Sequence, residues 1–195
     1  SLALRQRGAA KQQIPVAVVD CNPESVRQVA LQLSYFSGVE LSEFLLDDVR
    51  RATGSILDGY PLIVTTQTHG HELSALMGDR QEAIGKVVLS PSAETIMELS
   101  RLEAGPGVVI YCETARFAQI VQNGLRLFPN LPSADVPVCL AGISPLGAAL
   151  ESARVVLTAP DYLSFAPPRD LAVLTAFEAA GGRVVKYHHQ IDQGS

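Results

Sequence analysis

Eight short runs rich in Val, Ile and Leu punctuate this chain, and nearly all are followed by a longer stretch of helical period. The runs are "IPVAVVD" (14–20), "VELSEFLL" (39–46), "PLIVTT" (61–66), "KVVLS" (86–90), "GVVIYC" (107–112), "VPVCLAG" (136–142), "RVVLTA" (154–159) and "GRVVKYH" (182–188). Runs of this kind, apolar on both faces, fit strands buried between two layers of helix. In the stretch after the first run, Val26, Val29, Ala30 and Leu33 recur at spacings of three and four, which makes one apolar stripe. Strict alternation of strand and helix predicts an α/β fold of repeated βα units with parallel sheets. Four units fall on each side of a break near 105, so the expectation is two parallel-sheet lobes, 14–105 and 106–195. Residues 1–13 read as a linker or the end of a helix.

Local signals place the helix starts. Asn22-Pro23, Ser90-Pro91 and Ser144-Pro145 each set a capping side chain before a proline at the expected first helical position. Gly59, Gly105 and Gly181 stand where helix ends are expected. Apolar residues make up 47% of the 195, enough for a substantial core, and Trp is absent. The formal net charge of −5 argues against nucleic-acid binding by these residues, because phosphate contacts need clustered Lys and Arg. Three cysteines cannot all pair with one another, which favours reduced thiols and a cytoplasmic setting. The opening "SLALRQRGAAKQQ" lacks the apolar core of a signal peptide, and no apolar run approaches membrane-spanning length, so no membrane partner is expected.

Ligands of open parallel sheets bind beyond the carboxyl ends of the strands. The candidate ligand-binding residues at those ends are Asn22, Thr66, Gln67, Thr68, His69, Ser90, Ser92, Glu113, Thr114, Arg116, Ser144 and Asp161. Helix capping explains Asn22, Ser90 and Ser144 equally well. Thr66, Gln67 and Thr68 exceed what one cap needs. They suit one wall of a cup for a small polar metabolite, with Gly70 letting the backbone approach the ligand and a helix beginning near His71. Glu113, Thr114 and Arg116 would form the facing wall, with Arg116 able to pair with a carboxylate or phosphate. His69-x-His71 and His188-His189 lack a third ligand at firm spacing, so no metal is expected. Neither G-x-S-x-G, G-x-G-x-x-G nor the P-loop pattern occurs, and no cofactor is expected.

Two resemblances follow from particular phrases. "DCNPES" and "YCETAR" place Cys21 and Cys112 at strand ends in opposite halves, and this resembles the cofactor-independent aspartate/glutamate racemase superfamily. That resemblance implies two thiols acting as acid and base on a substrate carbon. Cys21 departs from it by following the first strand, and Pro23 by replacing a small hydroxyl residue. Over about residues 2 to 188, "IPVAVVDCNPESVRQVALQL", "GYPLIVTTQTHGHEL", "KVVLSPSAETIMELSRL" and "GVVIYCETARFAQIVQNGL" resemble the C-terminal effector domain of GntR-type transcription regulators. The nearer branch is that of the YtrA-like proteins and the cyanobacterial plasmid-maintenance regulator. The resemblance implies a Rossmann-like, two-lobed sensing domain similar to periplasmic-binding-protein folds, with no enzymatic activity. It also implies a homodimer that meets DNA only through a winged helix outside this chain. A pure dimerisation or partner-docking domain is the third expectation, and it would show large exposed apolar patches in place of a cleft.

Overall fold

The first strand, β1 (Ile14–Asp20), shows how the sequence pattern becomes layers. Successive side chains point to opposite faces of a strand. Ala17 and Val19 therefore enter one core with Leu46, Val49, Leu73 and Met77, while Val16 and Val18 enter another with Val26, Val29 and Ala30. The computed structural model describes residues 13–102, 107–131 and 136–192. The helix tail or linker expected at the start, Gly105 and the 105/106 lobe boundary lie outside the described residues.

The elements continue as α1 (Pro23–Leu33), β2 (Val39–Leu45), α2 (Leu46–Arg51), β3 (Leu62–Thr66), α3 (Gln67–Met77), β4 (Ile84–Val87), β5 (Leu89–Pro91) and α4 (Ala93–Ser100). They are followed by β6 (Val108–Cys112), α5 (Ala115–Leu125), β7 (Val138–Leu140), α6 (Leu146–Leu150), β8 (Val155–Thr158), α7 (Pro168–Ala179), β9 (Arg183–Lys186) and β10 (His189–Ile191). Two four-stranded parallel sheets result, ordered β2-β1-β3-β4 and β7-β6-β8-β9. The two orders are the same once β6 is matched to β1. The fold is α/β with two lobes, as the alternation predicts.

Sheet two repeats the two-faced packing. Val108, Ile110 and Cys112 meet Phe117, Ala118, Val121 and Leu125 of α5 on one face. Val109 and Tyr111 meet Leu146, Leu150 and Leu174 on the other. Leu99 and Leu102 also pack into the core of the second sheet. The segment from α4 onward thus packs against the second sheet. It is led there by β5, which pairs with β10 as a small antiparallel ribbon.

The capping signals divide. Asn22 does cap α1: its Oδ1 accepts from Ser25 N at 2.8 Å, with Pro23 in the first turn. Ser90 and Pro91 instead form part of β5, and Ser92 caps α4 by accepting from Thr95 N. Ser144 accepts from Leu140 N and so closes a turn, leaving Pro145 ahead of the short α6. The run 86–90 is split between β4 and β5, because the chain leaves the first sheet after Val87. Gly181 has φ +93° just past α7, as a helix end requires. Gly59 ends no α-helix; Gly78, with φ +54°, follows α3 instead.

Candidate functional site

A ligand site in a doubly wound sheet is set by the place where the strand order reverses. In the first lobe the chain winds outward from β1 to β2 and then returns to place β3 on the other side of β1. Val19 is paired with Thr65, so Asp20 and Thr66 leave the sheet side by side. The Thr66 hydroxyl donates to Asp20 Oδ2 at 2.8 Å. Cys21 N donates to Asp20 Oδ1 at 2.6 Å, and the Asn22 amide lies 3.4 Å from the same oxygen. Asp20 is nearly inaccessible, and the one ionisable nitrogen within ion-pair reach among the described residues is His69 Nε2 at 3.8 Å.

These groups form the floor of a cleft of about 490 Å³ between the lobes. The first lobe contributes Asp20, Cys21, Ser25 and Thr66 to His69; the connection to the ribbon contributes Val87 to Leu89. Arg116, Gln119 and Ile120 of α5 face them, and His189 of β10 completes the wall. Arg116, Gln119 and Ile120 share one helix face because they are spaced by three and four. Arg116 has no hydrogen-bond or ion-pair partner among the described residues.

Helix α3 begins at Gln67, four residues before His71, so Gln67, Thr68 and His69 form its first turn and no loop is present. No side chain caps this helix. Its first N–H groups therefore remain available beside the cleft. Gly70 is buried under Lys86, whose Cδ and Cε would lie 2.7 Å from an added Cβ. The glycine makes room for this lysine stem and not for a ligand. His71 is exposed and off the cleft wall, since residues two apart on a helix do not share a face.

Of the nominated residues, the cleft gathers Thr66, Gln67, Thr68, His69 and Arg116. Asn22 is fully buried as the α1 cap, while Ser90, Ser92 and Ser144 serve the ribbon, a cap and a turn. Thr114 caps α5 and donates its hydroxyl to Glu24 Oε2 at 2.9 Å. Glu113 and Asp161 both bind Arg27. The facing wall is thus Arg116 without Glu113 or Thr114.

The sequence reading left out Asp20, Ser25, Gln119 and Ile120, and weighed His189 only as a metal ligand. Gln119 and Ile120 follow from Arg116 once α5 is started at Thr114. His189 carried no such signal, because a three-residue strand cannot be seen in periodicity.

The cysteines separate sharply. Cys112 is fully buried in the core under α5, where its Sγ lies 3.2 Å from Thr114 O, and burial pushes its thiol up to about 12. It does not line the cleft, so Cys21 and Cys112 do not form an opposed pair across it. Cys21 is half-buried on the cleft floor; burial, then the Asp20 carboxylate, raise its pKa. Cys139 is buried, and all three thiols are free.

Two residues of the cleft lining carry a buried polar atom with no hydrogen-bond partner among the described residues, Ser25 Oγ and His189 Nδ1. Both residues are more than nine-tenths buried. An unpaired buried polar group costs about 1–3 kcal/mol, so a bound molecule that pairs them recovers that cost. No protein-family model matches the chain, and no curated protein matches it. No helix among the described residues is long and apolar enough to cross a membrane.

Proposed function

We propose that the cleft binds a small anionic metabolite and that the chain is the sensing module of a bacterial transcription regulator. The carrying observation is the convergence of polar groups with nothing to pair. Arg116 and the uncapped first turn of α3 line one cavity, and so do Ser25 and His189, each of which carries a buried polar atom without a partner among the described residues. A cation and free N–H groups favour a carboxylate or phosphate, while Val87, Val88, Leu89 and Ile120 suit an apolar body.

The regulator part of the proposal rests on the GntR-type resemblance and on the acidic balance, which leaves DNA contact to a winged helix outside this chain. Self-association into a dimer is supported by Leu31, Tyr35 and Phe36, exposed together at the end of α1. Sedimentation at micromolar concentration checks the dimer; a monomer at all concentrations removes it.

The ligand is tested by melting a chelator-treated protein against a panel of carboxylates and phosphates, followed by calorimetry on those that raise Tm. Arg116→Gln should weaken binding by roughly ten- to a hundredfold, the worth of a charge-assisted hydrogen bond, with the unliganded Tm unchanged. Anion binding that is indifferent to Arg116 would overturn the assignment.

A further inference from the structure

The geometry points to a divalent transition-metal site on the floor of the cleft, held by Asp20, Cys21 and His69 with one position open toward Arg116. The metal class is zinc or a close neighbour. The reading rests on these three side chains and stands whether or not the cleft also binds an anion.

Among the described residues, Asp20, Cys21 and His69 each bring one donor atom to a common point, all within 4.8 Å of one another. Zinc bonds of about 2.0–2.3 Å in a tetrahedron require ligand–ligand edges of about 3.3–3.7 Å. His69 Nε2 and Asp20 Oδ1 are 3.8 Å apart, close to such an edge already. A pair at the 4.8 Å limit has about 1 Å to close, a movement of the size a side-chain rotation supplies. Rigid elements hold the other two, since Asp20 ends a central strand and His69 sits in the first turn of an eleven-residue helix.

The chemistry of the donor set is selective. Thiolate, imidazole and carboxylate together suit zinc, cobalt(II) or nickel(II) far better than magnesium or calcium, which prefer oxygen alone. Three protein ligands and an open fourth position describe sites where zinc meets a further molecule, as opposed to closed structural sites. A surrounding layer is also built. Thr66 donates to Asp20 Oδ2 at 2.8 Å, and the Asn22 amide reaches Asp20 Oδ1 at 3.4 Å and Cys21 Sγ at 3.7 Å. Such partners orient metal ligands and fix their charge.

Electrostatics on the floor has two sides. The starts of α1 and α3 both lie near it and favour negative charge. Asp20 and an ionised Cys21 supply two full negative charges, more than the partial charges of two helix ends. The Asp20 carboxylate, buried without Lys or Arg within ion-pair reach, gains a compensating charge when a cation binds. Cys21 enters as thiolate and releases its proton to solvent, so each cation bound displaces one proton from sulfur. The neutral His69 imidazole contributes its Nε2 lone pair. Any anionic molecule in the cleft would then find both Arg116 and the fourth metal position in front of it.

The test is titration of the chelator-stripped, fully reduced chain with cobalt(II) alone. One equivalent should produce the sulfur-to-cobalt charge-transfer absorption in the near ultraviolet together with visible ligand-field bands. One equivalent of zinc should then bleach both. Cys21→Ser should abolish the charge-transfer band, and His69→Gln should weaken cobalt binding at least tenfold. Far-ultraviolet circular dichroism establishes that each variant is folded, and His69→Gln, at a partly exposed helix position, carries the test should Cys21→Ser misfold. Absence of a cobalt–thiolate band at one equivalent overturns the proposal. So does a band that survives in folded Cys21→Ser, which would place the metal on Cys112 or Cys139. Because no metabolite is present, the outcome is separate from that of the anion-binding experiments, which use metal-free protein.

Discussion

The two lobes have the same strand order and hence two equivalent crevices, one beyond β1 and β3 and one beyond β6 and β8. The first is open and forms the cleft. The second is filled by the molecule itself. Glu24 of α1 accepts from Glu113 N, Thr114 N and the Thr114 hydroxyl, each at 2.9 Å. One turn later Arg27 pairs with Glu113 Oε2 at 2.7 Å and with Asp161, and its guanidinium lies 5.8 Å from the Phe165 ring centroid. Side chains of the first lobe thus occupy in the second lobe the place a ligand takes in a sheet of this topology. The same βα unit yields a binding floor when its crevice is empty and an interlobe clamp when a neighbour fills it. Asp20 and Cys112 are the equivalent last residues of β1 and β6; one lines a cavity, and the other is core.

Removing the clamp breaks the comparison most severely. Glu24→Ala leaves three part-buried donors of the second lobe without their carboxylate partner, and we expect a loss of roughly 3 kcal/mol in urea unfolding. A loss below about 1 kcal/mol would mean that the lobes do not depend on this contact. Burial raises the Glu24 carboxyl above its ordinary range even though three donors hold it, which marks the site as strongly desolvated.

Next in size is the acid response of His189, whose backbone N–H donates to Gln28 Oε1 at 2.7 Å. Burial, then His188, lower its pKa from 6.5 to about 4. Tyr187 and Phe117 rings pack against it, and neither carries charge near neutral pH. The unfolded chain binds this proton more readily than the folded one. Stability from this group is therefore full above pH 6.5 and falls away as pH drops toward 4. The loss amounts to about 3 kcal/mol. The difference in unfolding free energy between wild type and His189→Gln, followed across that window, isolates it from the carboxylates. A difference that does not change with pH contradicts a buried neutral imidazole.

Smaller effects compare the two crevices residue by residue. Asn22 and Thr114 are the equivalent caps of α1 and α5, but Thr114 also donates to Glu24. Thr114→Ala should cost about 2 kcal/mol against about 1 for Asn22→Ala in the same denaturant series. Equal costs would remove the clamp role from Thr114. Cys21 should also react with a disulfide reagent at least tenfold faster than Cys112 in the native protein, because only Cys21 reaches the cleft. Comparable rates would show that the second crevice opens in solution.

How much of this is legible before folding depends on the range of the interactions involved. The α/β alternation, the two lobes, β1 and the Asn22-Pro23 start of α1 follow from periods of two and 3.6 and from one cap, all within a few neighbours. Thr66, Gln67, Thr68 and Arg116 could be singled out because strand ends and helix starts are local features. Whether a given strand end faces a cavity is not local. Glu113 and Thr114 look as free in the sequence as Gln67 and Thr68, yet Glu24 of α1, some ninety residues away in the chain, takes up their backbone N–H groups. His189 reaches the cleft only because β10 pairs with β5 and Gln28 accepts its backbone N–H across 161 residues of separation. The sequence by itself determined the layers, since hydrophobic periodicity acts residue by residue along the chain. Tertiary structure decided which of two like crevices stays open, because that depends on how two finished lobes meet, and no short stretch of either encodes it.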